Sequence, residues 1–374
     1  MKTGSWENVK KVLAVRLDSM GDLLMTTPAL RAIKESLHTK KLVLLTSRSA
    51  SLATQFIPEI DQTIVFDAPW VKTQSNNIAA NYISNTIAKL KKEQFDAAII
   101  FTVCSQNPLP AALLCYMSQI PLRLAYCHEN PYALLTHWRP DPEPQFFIRH
   151  EVERQLSLVA SVGYTASNKT LSLTLTQTAH NSVIAKLKTL KVDLHIPWVV
   201  LHPGVSEERR QYPLKNFCKA LKELQKLTDF QILVTGNAAE TELSRQAAQE
   251  IGRKAVSLGG QLTLEEFAAL IALSQLLITN NTGPVHIAAA VGTPVVDLYA
   301  NTNSQHTPWM VPNRVLIFDV PCKACERGIC STGPHHIQKH VKPREIVKAS
   351  LELLLPKFKT ELLYGKSRCF NSNT

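Results

Sequence analysis

Residues 9–37 read VKKVLAVRLDSMGDLLMTTPALRAIKESL, and this stretch decides the fold class. An apolar run over 9–17 is followed by the tight loop Asp18-Ser19-Met20-Gly21-Asp22 and then by a helical pattern over 23–37. Strand, loop and helix in that order make the first unit of a parallel α/β sheet. The same rhythm continues outward, with strands expected at 42–46, 62–66 and 97–101 and helices at 50–56 and 78–93. It persists to about residue 163 and is interrupted at 128–148, where prolines at 131, 140, 142 and 144 predict a long loop. A further strand at 171–175 and a helix at 177–190 lead into a connection over 191–197.

The rhythm then starts afresh. Strands are expected at 198–202, 230–235, 255–257, 276–279 and 295–299, and helices at 214–227, 240–251, 264–273, 284–291 and 343–355. A chain of 374 residues exceeds what one core usually serves. The restart therefore predicts two doubly wound α/β domains: an N-terminal one over 1–190, a second over 191–342, and a C-terminal helix with a polar, poorly ordered tail over 343–374.

Composition narrows the function classes. Hydrophobic residues at 45% and charged residues at 19% describe a globular chain with real cores. The net charge of +11 permits nucleic acid, anionic lipid or a phosphorylated small molecule, but the basic residues are scattered and no nucleic-acid-reading motif surrounds them. No nucleic-acid partner is expected. The apolar run at 12–15 is too short for a secretory signal, and the uncharged stretches at 97–122 and 267–296 are broken by Gln106-Asn107-Pro108 and by 280–284. Neither stretch supplies the roughly 20 apolar residues of a spanning helix. Eight cysteines without a leader argue for reduced thiols and a cytoplasmic setting. Cys322, Cys325 and Cys330 with His335, His336 or His340 could form a metal site, but a thiol cluster is the preferred reading and no metal or other cofactor is expected.

Parallel sheets place ligands outside the C-terminal ends of their strands, and the chemistry-bearing motifs fall there. Asn280-Asn281-Thr282-Gly283-Pro284-Val285-His286 follows a strand and opens a helix; Pro284 suits the first turn, and the free N–H groups there offer either a diphosphate site or simply a well-capped helix. Arg210 follows the strand ending in His202-Pro203-Gly204, where a guanidinium could grip a phosphate. Asp22, at the start of the first helix, is either a first-turn carboxylate or a general base taking a proton from an attacking hydroxyl, with Gly21 letting substrate approach the backbone. Asp18 competes for the second role. No G-x-G-x-x-G or P-loop motif is present, which removes the best support for dinucleotide and NTPase functions.

Together these residues resemble glycosyltransferase family 9, the ADP-heptose:lipopolysaccharide heptosyltransferases, over about residues 9–355. The opening signature is residues 15–22 with Thr27-Pro28-Ala29-Leu30, and the second motif is residues 281–290 followed by Gly292-Thr293-Pro294. The resemblance implies a GT-B architecture, two Rossmann-like domains facing a central cleft, with acceptor on the first and an ADP-sugar on the second. It implies Asp22 as catalytic base, with Asp18, Ser19, Met20 and Gly21 forming the acceptor-side loop. Arg210, Glu240, Asn281, Thr282, Gly283 and His286 are the implied donor and phosphate contacts. The implied reaction is inverting transfer of heptose from ADP-L-glycero-D-manno-heptose to a lipopolysaccharide inner-core acceptor. A monomer in peripheral contact with the cytoplasmic face of the inner membrane is expected. Three departures stand out: Asn281 where the family pattern has Asp, Ala300-Asn301-Thr302-Asn303 where it has Gly-Pro-Thr-Asp, and a fourth C-terminal cysteine replaced near Ile337. They motivate two alternatives, a family 9 enzyme using another nucleotide-sugar and a non-catalytic nucleotide-sugar-binding protein.

Overall fold

The computed structural model describes residues 5–36, 41–71, 81–205, 211–252, 254–299, 304–317 and 341–364, the last ten of these by backbone alone. They divide into two compact units, residues 1–174 with 304–309, and residues 175–303 with 310–374.

The first unit contains strands β1 (Lys11–Arg16), β2 (Lys41–Thr46), β3 (Gln62–Val65), β4 (Ala97–Ile100), β5 (Leu122–Cys127) and β6 (His137–Pro140). Its helices are α1 (Met20–Ser36), α2 (Arg48–Thr54), α3 (Asn81–Lys92), α4 (Leu109–Met117) and α5 (Glu151–Ala160). The strands pair in parallel in the order β3-β2-β1-β4-β5-β6, so the topological switch point lies between β1 and β4. Side chains alternate along β1. Leu13 and Val15 join the core with Val43, Ala98 and Ile100, which leaves Val12, Ala14 and Arg16 on the opposite face. In α1, Pro28 cannot donate to the Leu24 carbonyl, and the Thr27 hydroxyl donates to that oxygen instead at 2.7 Å.

The second unit contains β7 (Trp198–His202), β8 (Gln231–Val234), β9 (Ala255–Ser257), β10 (Leu276–Asn280), β11 (Val295–Tyr299) and β12 (Asn313–Ile317). Its helices are α6 (Gln177–Thr189), α7 (Leu214–Leu227), α8 (Thr241–Ile251), α9 (Leu264–Leu273), α10 (Gly283–Val291) and α11 (Pro343–Tyr364). The order β9-β8-β7-β10-β11-β12 repeats the first unit's topology, with its switch point between β7 and β10. Helix α10 stops at Gly292, whose φ of +79° is the left-handed conformation that closes a helix without a Cβ penalty.

Several elements differ from the sequence rhythm. The 128–148 stretch contains edge strand β6, whose half-buried pattern carries no apolar run to betray it; it is fixed by parallel pairing to β5 and by Trp138 Nε1 donating to the Cys127 carbonyl at 2.8 Å. Residues 171–175 are not a strand: this segment runs across the first unit, where the Thr27 hydroxyl accepts from Ser172 N and the Phe56 carbonyl from Thr174 N. Helix α6 groups with the second unit rather than the first, because Glu266 of α9 accepts from both Ser182 and Lys186. The C-terminal helix groups there too, placing Ile346, Val347 and Leu353 in the core with Val296 and Leu298.

Candidate active site

In the first unit a single guanidinium organises the strand end. Arg16 is wholly buried on the β1 face that meets α5, and its Nη1 donates to Glu151 Oε1 at 2.9 Å. Its Nε lies 3.0 Å from Asp18 Oδ2 and its Nη2 lies 3.3 Å from Asp22 Oδ1. Asp22 Oδ2 accepts from the Ser19 hydroxyl at 2.7 Å and from the Ser19 N–H at 3.1 Å. The carboxylate thus closes the first turn of α1, one of its two sequence readings, and keeps 17% of its side chain exposed.

Three carboxylates around one cation cannot all ionise at equal cost. Burial raises Asp18, which also feels the charge of Asp22, so it sits above the ordinary carboxylate range. Burial works against Asp22 as well, but Arg16, His306 and the two Ser19 hydrogen bonds hold it below that range. Asp22 is therefore the more readily ionised member of the pair. Asp18 accepts from Gln106 Nε2 and lines a cavity of about 270 Å³ at the switch point. Leu17, Trp70 and Phe101 supply apolar walls, and Thr102 and Gln106 supply polar ones. Met20 and Gly21 lie in the first turn of α1, and Gly21 is buried, leaving its backbone less open to a ligand than the sequence suggested.

In the second unit the ends of β7, β8 and β10 converge. Asn280 is buried and ties two loops together: its Nδ2 donates to the Pro203 carbonyl at 2.8 Å and its Oδ1 accepts from Tyr212 N at 3.0 Å. Glu240 accepts from Asn237 N at 2.8 Å in a capping box, lies 3.9 Å from His202 Nε2, and packs so closely on Gly204 that a methyl group there would overlap its carboxylate. Burial pushes His202 down to about 4, so the imidazole is neutral. Thr282 precedes α10 but its hydroxyl donates back to the Asn280 carbonyl at 3.3 Å, so its own side chain does not cap the helix. Asn281 Nδ2 donates to Asp297 Oδ2 at 2.8 Å, and His286 is buried in α10.

Of the residues singled out in the sequence, the structure brings Asp18, Ser19 and Asp22 together at one switch point. It sets Glu240, Asn281, Thr282 and Gly283 at the strand ends of the other unit. Arg210, Ala300-Asn301-Thr302-Asn303 and the Cys322, Cys325 and Cys330 cluster with its histidines lie outside the described residues. Sequence reasoning missed Arg16, Glu151, Gln106, His202, Asn280 and Asp297. For Arg16 and Asp297 the signal was there, since a charge inside an apolar strand implies a buried partner. Glu151 and Gln106 come from distant elements and carry no local pattern, while His202 and Asn280 stand in motifs that the sequence analysis quoted without giving them a role of their own.

The model of glycosyltransferase family 9 (heptosyltransferase) matches residues 83–336. The chain belongs to this family. Among relatives of this family 9 glycosyltransferase is a Haemophilus influenzae protein named simply as a glycosyltransferase, 25% identical over 82% of this chain and 87% of its own length. Another is lipooligosaccharide heptosyltransferase 2 of Campylobacter jejuni, 23% identical over 90% of this chain and 97% of its own. The fold matches the solved structure of Escherichia coli ADP-heptose lipopolysaccharide heptosyltransferase II with a TM-score of 0.70 at 18% identity, over 93% of this chain and 99% of that one. The pair of six-stranded Rossmann-like sheets is the GT-B architecture of such enzymes, and the chain is a heptosyltransferase-like glycosyltransferase. Among the described residues no helix is long and apolar enough to cross a membrane.

Proposed function

We propose that this family 9 enzyme transfers heptose from ADP-L-glycero-D-manno-heptose to a lipopolysaccharide inner-core acceptor, with inversion, as a monomer in peripheral contact with the cytoplasmic face of the inner membrane. The observation that carries the reading is the partly exposed, readily ionised carboxylate of Asp22, held by Arg16 and Ser19 at the strand end of the first unit. Asp22 takes the proton of an acceptor hydroxyl as that oxygen attacks the anomeric carbon, and the bond from that carbon to the ADP oxygen breaks. A low-lying carboxylate is a weak base, which suits a late proton transfer from the attacking hydroxyl, whose proton becomes acidic as its bond to the anomeric carbon forms. Asp18 is held above the ordinary range and serves as a hydrogen-bonding wall. With Gln106 it meets acceptor hydroxyls, while Trp70 offers an apolar face to a sugar ring.

On the donor side, the start of α10, where Thr282 makes no side-chain cap, receives the diphosphate through backbone N–H groups and the positive end of the helix dipole. Arg210 adds a guanidinium, and Thr282, Gly283, His286 and Glu240 shape the nucleotide pocket. A second reading, the same chemistry with a different nucleotide-sugar, is favoured by one observation: Asn281 presents an amide, engaged by Asp297, where the family pattern has a carboxylate.

Calorimetric titration with ADP, ADP-heptose and a UDP-sugar tests both. Selective binding of the adenine nucleotides is expected. Preference for the UDP-sugar would move the assignment to the second reading, and no binding at all would leave a protein without donor function.

A further inference from the structure

The first unit carries a face that the transfer reaction does not use. Helix α4 reads Leu109-Pro110-Ala111-Ala112-Leu113-Leu114-Cys115-Tyr116-Met117 and holds no charged residue. Ala111, Ala112, Leu114 and Cys115 go into the core. Leu113, Tyr116 and Met117 recur at the i, i+3, i+4 spacing of a second stripe, and each is about half exposed. A helix on the surface of a globular protein carries polar or charged groups on that side, so an apolar stripe there marks a place for a partner.

Tyr132 extends the face. It is 84% exposed, and its φ of +47° lies in the left-handed region that a bulky side chain enters only at a cost. Asn130 Oδ1 accepts from its N–H at 2.9 Å, and the 3-10 turn that it opens, Tyr132–Leu134, packs on α4. Arg123 pins the turn to the helix: it donates to the Ala133 carbonyl at 2.9 Å and to the Leu134 carbonyl at 2.7 Å, and its guanidinium lies 5.2 Å from the centre of the Tyr116 ring. A strained backbone thus keeps an aromatic ring in solvent near the end of α4.

Charge indicates what covers this face. Helix α3 packs beside α4, and the two end at the same edge of the sheet, since the strands they lead into pair with Ala97 opposite Leu122. The last turn of α3 holds Lys89, Lys91 and Lys92, all exposed, and neither helix contains an acidic residue. Apolar and aromatic side chains next to exposed lysines suit the headgroup layer of an anionic membrane. The start of α4 faces the site, because Pro110 and Ala111 line the cavity that holds Asp18 and Gln106. From Ala111 to Met117 the helix rises only about 9 Å.

We propose that the α3–α4 face, together with Tyr132, seats the enzyme on an anionic lipid bilayer. The proposal rests on the membrane contact in the reading above and gives that contact a surface. One helix then meets both the bilayer and the acceptor cavity, so an acceptor sugar reaches Asp18 and Gln106 while its lipid stays in the membrane.

The test is co-sedimentation of the full chain with vesicles of phosphatidylglycerol and phosphatidylcholine and, separately, of phosphatidylcholine alone. Wild type is compared with two variants, one combining Leu113→Gln, Met117→Gln and Tyr132→Asn, the other Lys89→Gln, Lys91→Gln and Lys92→Gln. Gln suits a helix and Asn a left-handed backbone, so both variants should unfold near the wild-type temperature. On the anionic vesicles the lysine variant should bind about 100-fold more weakly than wild type, about fivefold for each charge, and the apolar variant about tenfold more weakly. Transfer to a lipid-anchored core acceptor in those vesicles should fall with binding, and transfer to a deacylated acceptor in solution should keep the wild-type rate. Equal binding of all three proteins to the anionic vesicles moves the membrane contact to another surface and overturns the proposal. A wild type that stays in solution with both kinds of vesicle overturns it together with the membrane contact, and leaves the transfer reading to the nucleotide titration. A wild-type dimer that the apolar variant abolishes, without vesicle binding, gives the face to a second copy of the chain and overturns the proposal as well.

Discussion

Arg16 is the residue on which the first site turns, because it neutralises carboxylates contributed by the loop after β1, by α1 and by α5 at once. Its charge lets Asp22 ionise while touching a buried network, and His306 with the Ser19 hydrogen bonds sets Asp22 apart from Asp18. On the proposed mechanism Asp22→Asn, which keeps the shape and removes the base, should lower kcat by about 10²–10⁴-fold with ADP affinity nearly unchanged. Turnover near wild type in a single-turnover assay would take the base role from Asp22. At the other site Gly204 has no room for a side chain beside Glu240. A methyl group there would push the carboxylate off Asn237 N and loosen the capping box at a cost of about 1 kcal/mol. Gly204→Ala should show that loss in denaturant unfolding and lose nothing further in a Glu240→Ala background; equal losses in both backgrounds would mean that the two residues do not interact.

At the scale of elements, caps and pairs set where helices begin and which neighbour they choose. Helix α9 starts in a capping box, Thr263 with Glu266, and the same carboxylate accepts from Lys186 and Ser182 of α6. Burial opposes the charge on Glu266, yet Lys186, Ser182 and the Thr263 N–H hold its acid form down to about 2. A depressed carboxyl stabilises the fold above its unfolded value of about 4.3, and that stability is lost as pH falls through the folded value. Glu266→Gln should therefore cost about 2 kcal/mol at neutral pH, with the gap from wild type closing between about pH 4 and about pH 2. A gap constant over that window would place the effect in packing rather than charge. The edge strand β6 teaches the opposite lesson: with alternating half-buried residues and Pro140 at its end, it exists only because β5 offers it a partner.

For the whole molecule, the division into units follows which helix covers which sheet. Ala179, Val183 and Leu187 of α6 are buried with the second unit. A fragment over residues 175–374 should be more stable to denaturant than one over 191–374 by more than ~3 kcal/mol, the worth of burying such side chains. Equal stability of the two fragments would mean that α6 adds nothing to that core.

Most of the strand and helix rhythm, its restart in a second α/β unit and the family were legible in the sequence, because apolar periodicity and glycine- or proline-marked turns are local properties. Strands β7, β9 and β11 and helix α9 stand where the apolar runs put them. So does the placement of Asp22 and Asn281 at strand ends, which follows from chain order alone. Tertiary structure decided the rest. Which of Asp22 and Asp18 ionises more readily depends on His306 and Glu151 arriving from far along the chain. The partner of Asn281 is set by the register of β10 on β11. The unit that owns α6 is set by ion pairs to a helix far along the chain. Each is an interaction between residues distant in sequence, and burial and distance, which decide its sign and size, exist only once the chain has folded.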